Sequence, residues 1–142
     1  MCIRDRIAPR DADAWSALAM AYHANRLIDL AAPCYERALE LDAARARDWY
    51  GLARLRADLG DTEAALAAVD EVIARDDLAW FAHWRRGLWL IDAGRLDDAA
   101  IAFERASAGN SADPVPVVGE ARVAGQRGDH ERVVALLAPF IA

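Results

Sequence analysis

Apolar residues along this chain recur at three- and four-residue intervals, in stretches of about a dozen residues separated by short polar breaks. Between residues 46 and 79, Trp49, Leu52, Ala53, Arg56 and Leu59 keep helical spacing. Gly60 and Asp61 interrupt, and Ala65, Val69, Val72 and Ile73 resume it. None of these stretches sustains the alternation of a half-buried strand. The pattern predicts helical hairpins: glycine supplies the left-handed residue that ends the first helix, and Asp61 or Asp129 caps the second.

The pattern also repeats. Gly60, Gly94 and Gly128 are spaced by 34 residues, in a chain with only 8 glycines, so chance is a poor explanation for their common register. That register divides the chain into windows 12–45, 46–79, 80–113 and 114–142, the last of them short and divergent, preceded by a leading segment 1–11 outside the pattern. An all-α fold follows, built from four helix pairs. Asp113 and Pro114 suit a helix start. Pro139 predicts that the last helix stops near residue 138. Pro33, about four residues past a cap at Asp29, costs its helix about one hydrogen bond.

Composition supports helices. The apolar fraction is 56% while aromatics are only 8%, so much of the apolar count is alanine, which favours helix and close helix approach. Arg26 stands where the first window should carry its turn glycine, and Arg86 and Glu120 stand at positions that otherwise carry leucine.

These residues resemble the tetratricopeptide repeat. In that family a large residue sits at repeat position 4, Leu at 7, small residues at 8, 20 and 27, aromatics at 11 and 24, and Gly at 15. The first window supplies Trp15, Leu18, Ala19, Tyr22, Ala31, Tyr35 and Ala38. The second keeps Trp49, Leu52, Ala53, Gly60 and Ala65; the third keeps Gly87, Leu90, Gly94, Ala99, Phe103 and Ala106. The resemblance implies a right-handed superhelical solenoid of antiparallel helix pairs. Small residues then mark close helix crossings and leave room for Tyr22, Tyr35 or Phe103 opposite.

The same resemblance implies a concave groove lined by the first helix of each repeat. Its positions fall on Asp13, Ser16, Met20 and His23; on Arg47, Tyr50, Arg54 and Asp58; on Phe81, Trp84, Arg85, Leu88 and Ile91; and on Val115, Val118, Arg122 and Gln126. Of these, Arg47, Tyr50, Arg54, Phe81, Trp84, Arg85, Leu88 and Arg122 form the candidate partner-binding set. Arginine and aromatic side chains carry much of the energy at protein interfaces, and the groove would favour an acidic, partly apolar peptide. The alternative stays open that Phe81, Trp84 and Leu88 pack against a neighbouring repeat while the arginines are solvated. One branch of the family grips the C-terminal tails of heat-shock chaperones. At the corresponding positions this chain has Ser16, Met20, Gly51, Phe81 and Arg85, of which only Arg85 matches.

Catalytic chemistry has no foothold in the motifs. His23, His83 and His130 lie in separate windows without the spacing of a helical zinc site. The glycines are single helix stops and form no phosphate loop. Ser16, Ser107 and Ser111 belong to no nucleophile motif, and Cys34 reads as a small buried thiol. The expectation is a protein without enzymatic activity, metal or cofactor. With 23 acidic against 17 basic residues, all of them arginine, the net charge of -6 disfavours nucleic acid and an RNA-binding helical repeat. No apolar run reaches the roughly 18 residues needed to span a bilayer.

Absence of lysine beside abundant Ala, Arg and Asp suggests a GC-rich bacterial source. Residues 1–6, Met-Cys-Ile-Arg-Asp-Arg, resemble the translation of a transposon end used in preparing metagenomic sequencing libraries, which would make Cys2 non-native and place the true N-terminus upstream. On that reading the compartment is open between cytoplasm, the default, and periplasm. The expected function is a protein–protein interaction scaffold, with self-association through uncapped array ends also allowed. The alternative is an accessory repeat region of a larger bacterial enzyme or envelope-assembly protein.

Overall fold

The structure, a computed structural model, describes residues 11–76 and 79–141. Expectations for Cys2 and the adapter-like residues 1–6 lie outside the described residues. Among the described residues there are eight α-helices: α1 (Ala12–Ala24), α2 (Ile28–Leu41), α3 (Ala46–Asp58), α4 (Thr62–Arg75), α5 (Trp80–Asp92), α6 (Leu96–Gly109), α7 (Pro114–Gln126) and α8 (His130–Leu137), followed by a short 3-10 turn at Ala138–Phe140. The odd-numbered helices begin at 12, 46, 80 and 114, so the 34-residue period of the sequence is the period of the helix pairs. The fold class is all-α, as the periodicity predicts.

Four of the connections are built alike. After each odd-numbered helix the chain enters the left-handed region for one residue, at Arg26 (φ 61), Gly60 (φ 82), Gly94 (φ 76) and Gly128 (φ 76). The next amide then reaches back across the turn: Leu27 to Tyr22, Asp61 to Arg56, Arg95 to Leu90 and Asp129 to Ala124, at 2.8–3.0 Å. These bonds satisfy carbonyls that would otherwise be orphaned at the helix end. Asp61 and Asp129 cap the following helices through the amides of Ala64 and Arg132, at 3.1 and 3.0 Å. Asp113 caps α7 at 2.9 Å with Pro114 in its first turn. Asp11, which the repeat pattern leaves in the leading segment, caps α1 through the amide of Ala14 at 3.0 Å.

Asp29 is a correction. It lies inside the first turn of α2, whose cap position is Leu27 and has no side-chain bond. An acidic residue there still suits the positive end of the helix dipole. Pro33 is accommodated inside α2, and α8 ends at Leu137 before Pro139.

The helices form two compact units, one within Met1–Arg75 and one within Asp76–Ala142. In the first, Trp15, Ala19, Ala31, Cys34, Tyr35, Ala38, Leu39, Leu52 and Leu55 make one buried cluster. Cys34 donates its thiol to the Leu30 carbonyl at 3.3 Å, a buried structural thiol. In the second unit Phe103 is fully buried, as are Ala82, Leu90, Ala99 and Ala106. The small positions explain the approach. A Cβ placed on Gly51 would stand 2.5 Å from the Tyr35 ring, and one on Gly87 would stand 2.6 Å from the Phe103 ring. A Cβ on Gly119 would crowd the same ring at Cδ1 and Cε1. These are aromatic knobs in glycine holes, distances no real methyl could occupy.

The divergent positions find partners. Glu120, at a leucine position, accepts a 2.5 Å hydrogen bond from the Ser107 hydroxyl. Helix α8 buries no residue completely, consistent with the weakening of the repeat pattern after residue 129.

Candidate partner-binding faces

In the first unit, α1 and α3 lie side by side and the candidate residues of α3 recur every three or four positions along one stripe. Arg47 is exposed and points a guanidinium nitrogen at the Met20 sulfur of α1, 3.2 Å away. Arg54 is exposed, with its guanidinium 5.9 Å from the Tyr50 ring centre, within cation–π range. Further along the stripe Asp58 accepts from His23 Nε2 at 2.9 Å and from Arg26 at 3.2 Å. The His23 bond, with the Arg26 charge in support, holds the Asp58 carboxyl below its ordinary range against the opposing effect of partial burial. Met20, His23, Arg26, Tyr35, Arg54 and Asp58 enclose an open pocket of about 330 Å³.

Behind this face is a charge that the sequence pattern did not flag. Asp48 is completely buried, with its carboxylate held by the Ser16 hydroxyl and, at 2.5 Å, by Nε of Arg45. Arg45 continues to Asp13 at 2.8 Å. Ser16 is therefore not a groove residue, as its repeat position implied, but a buried donor that helps to pay for the desolvated carboxylate. The signal available in the sequence was the pairing of Arg45 with Asp48 one turn on; the hydroxyl on α1 could not be inferred.

The second unit presents a different chemistry. On α5, Phe81 is 39% exposed, and Trp84, Arg85 and Leu88 are half-buried. The Arg85 guanidinium lies 5.1 Å from the Trp84 ring centre, and Phe81 meets Trp80 edge to face at 6.4 Å. On α7, which packs on α5, Val115, Val118 and Arg122 are exposed. Ile91 is buried in the core of this unit, so the implied groove position at its repeat site is corrected. The candidate set thus divides between two units: Arg47, Tyr50 and Arg54 in the first, and Phe81, Trp84, Arg85, Leu88 and Arg122 in the second.

Paired helices at a fixed period, left-handed turn residues and aromatic-in-glycine packing define a helical-repeat protein. Two family models, both described as tetratricopeptide repeat, match residues 12–45 and 50–114, together more than half of the chain, which therefore belongs to the tetratricopeptide-repeat family. The fold is similar to that of MamA, at TM-score 0.86 and 19% identity over 92% of this chain and 76% of that one. A tetratricopeptide repeat protein from Parabacteroides merdae is similar at TM-score 0.86 and 20% identity, over 97% of this chain and 54% of that one. The first repeat domain of Spaghetti (RPAP3), solved with the HSP90 peptide SRMEEVD, is similar at TM-score 0.78 and 16% identity, over 86% of this chain and 97% of that one. No curated protein sequence matches this chain.

Proposed function

We propose that this chain is a protein-binding scaffold whose first-helix faces hold a partner segment that is acidic in one part and apolar in another. The observation that carries this reading is the placing of arginine beside half-buried aromatic rings: Arg54 by Tyr50 and Arg85 by Trp84. A guanidinium within cation–π range of a ring is favoured there, and its planar N–H fork suits a carboxylate in two-pronged geometry. Phe81, Leu88, Val115 and Val118 supply apolar surface in the same unit as Arg85 and Arg122.

The chaperone-tail mode of the Spaghetti domain is not the one we propose. Ser16, one of the five positions that would have to grip the tail, is occupied in binding Asp48.

The test is a peptide-array screen on the native chain and on an Arg54→Glu, Arg85→Glu double variant, followed by titration at low and high salt. Native binding should enrich acidic sequences with an apolar anchor and weaken as salt rises. The double variant should lose about 2 kcal/mol or more of affinity with helicity intact. Ligands without acidic residues, or equal binding by the double variant, would refute the assignment.

A further inference from the structure

The pocket between α1 and α3 contains three features that packing alone does not require. The first is Arg26. Three of the four turns use glycine for the left-handed residue, yet this one uses arginine at φ 61. That conformation is strained for an L-residue, a cost that glycine would avoid. The Arg26–Asp58 pair is too exposed to explain the choice, at 67% and 37% side-chain exposure, because solvent screens such a pair and leaves it little net attraction.

The second feature is the Tyr35 hydroxyl. Tyr35 is 3% exposed, its hydroxyl lies beside Gly51, and its side chain lines the pocket. No residue among those described hydrogen-bonds to that hydroxyl. Phe103 fills the equivalent hole in the second unit with no hydroxyl at all, so the ring suffices for packing. Burial pushes the Tyr35 hydroxyl up in pKa, Asp48 adds to this, and the Arg54 and Arg47 charges pull the other way, which places both guanidinium groups within electrostatic reach of it. The third feature is Arg54, exposed at the pocket edge with no ion-pair partner among the described residues.

We propose that this pocket binds a single carboxylate, donated to by Arg54, the Tyr35 hydroxyl and the N–H groups of Arg26 that Asp58 leaves unused. This rests on reading the first-helix faces as binding surfaces, and it assigns the acidic group of the partner to one location. Asp58 stands in the same pocket, but His23 and Arg26 already bond to it. Arg26 and Arg54 against Asp58 leave one positive charge, which matches a monoanion better than a doubly charged phosphate. Strain at Arg26 is retained because the residue that glycine would replace is a ligand-binding one.

The experiment is an NMR titration of the full chain that follows the Arg26 and Arg54 Nε–H signals and the Tyr35 ring. Three probes are used: N-acetylglutamate α-amide for a side-chain carboxylate, N-acetylalanine for a chain-terminal one, and N-acetylglutamine α-amide for none. The carboxylates should give saturable shifts at these three residues, and the stronger of the two identifies the source. Tyr35→Phe and Arg54→Gln should each weaken binding about tenfold, the scale of one hydrogen bond to a charged group. Arg26→Gly should also weaken it while leaving thermal stability unchanged or raised, an outcome that a purely structural role would not give. Equal shifts with the glutamine probe, or native affinity in all three variants, would overturn the proposal. If array-selected peptides bind those variants as they bind the native chain, the pocket assignment fails while the groove assignment stands. If the pocket responds and the array enriches nothing acidic, the groove assignment fails instead.

Discussion

Adding one methyl group to α7 should have opposite effects at two glycines. A Cβ on Gly119 would stand 2.7 Å from Cγ of Phe103 and closer still to Cδ1 and Cε1. Carbon atoms in contact prefer about 3.5–4.0 Å, so the ring or the helix must shift by roughly an ångström. The ring cannot yield cheaply, since Phe103 is fully buried and already packs tightly against Gly87. Overpacking of this kind costs about 1–3 kcal/mol, against a gain of about 0.5–1 kcal/mol from replacing glycine inside a helix. Gly119→Ala should therefore destabilise by about 1–2 kcal/mol net. Gly125, six residues on in the same helix, has its nearest neighbour, Val133, at 3.9 Å. Gly125→Ala meets ordinary contact and should stabilise by up to about 0.5 kcal/mol, the propensity gain reduced near the helix end. Urea unfolding followed by far-UV circular dichroism measures both. Phe103→Leu should shrink the Gly119→Ala penalty, because the clash belongs to that pair. Two substitutions of the same sign, or a penalty unaffected by Phe103→Leu, would refute the knob-in-hole account.

Asp48→Ala should destabilise by about 2–4 kcal/mol, since it strands the Ser16 hydroxyl and the Arg45 guanidinium, whereas Ser16→Ala should cost about 1 kcal/mol; denaturant midpoints that reverse this order would show that the buried carboxylate is not the centre of the network. Acid should weaken the first unit partly through Asp58. Its folded-state pKa is depressed, so its stabilising contribution is present above the unfolded carboxylate range and is lost as pH falls through the folded value. The stability difference between the native chain and Asp58→Asn should therefore narrow from about pH 5 toward pH 3, measured by thermal melts at each pH; a difference independent of pH would remove the His23–Asp58 bond from the account.

The helices, their pairing and their period are legible in the order of residues. Those features are local: a helix is written in the spacing of its apolar positions, and three of the four turns are written in a glycine at one register, two of them with an aspartate after it. Gly60, Gly94 and Gly128 were therefore readable without a structure, as were the caps at Asp61, Asp113 and Asp129 and the stop before Pro139. Asp29 was misread as a cap because several polar residues near a break can each serve, and only backbone geometry decides which one does. What lies behind a face was not readable. Ser16 and Asp48 are 32 residues apart and meet only because α1 packs on α3. Ile91 shares the helical spacing of Leu88 and Phe81, yet it is buried where they are partly exposed. Tertiary structure alone brought Arg26, Tyr35 and Arg54 to one pocket, because they come from a turn and two helices in different repeats, and no spacing in a one-dimensional sequence encodes the distance between helices that pack side by side.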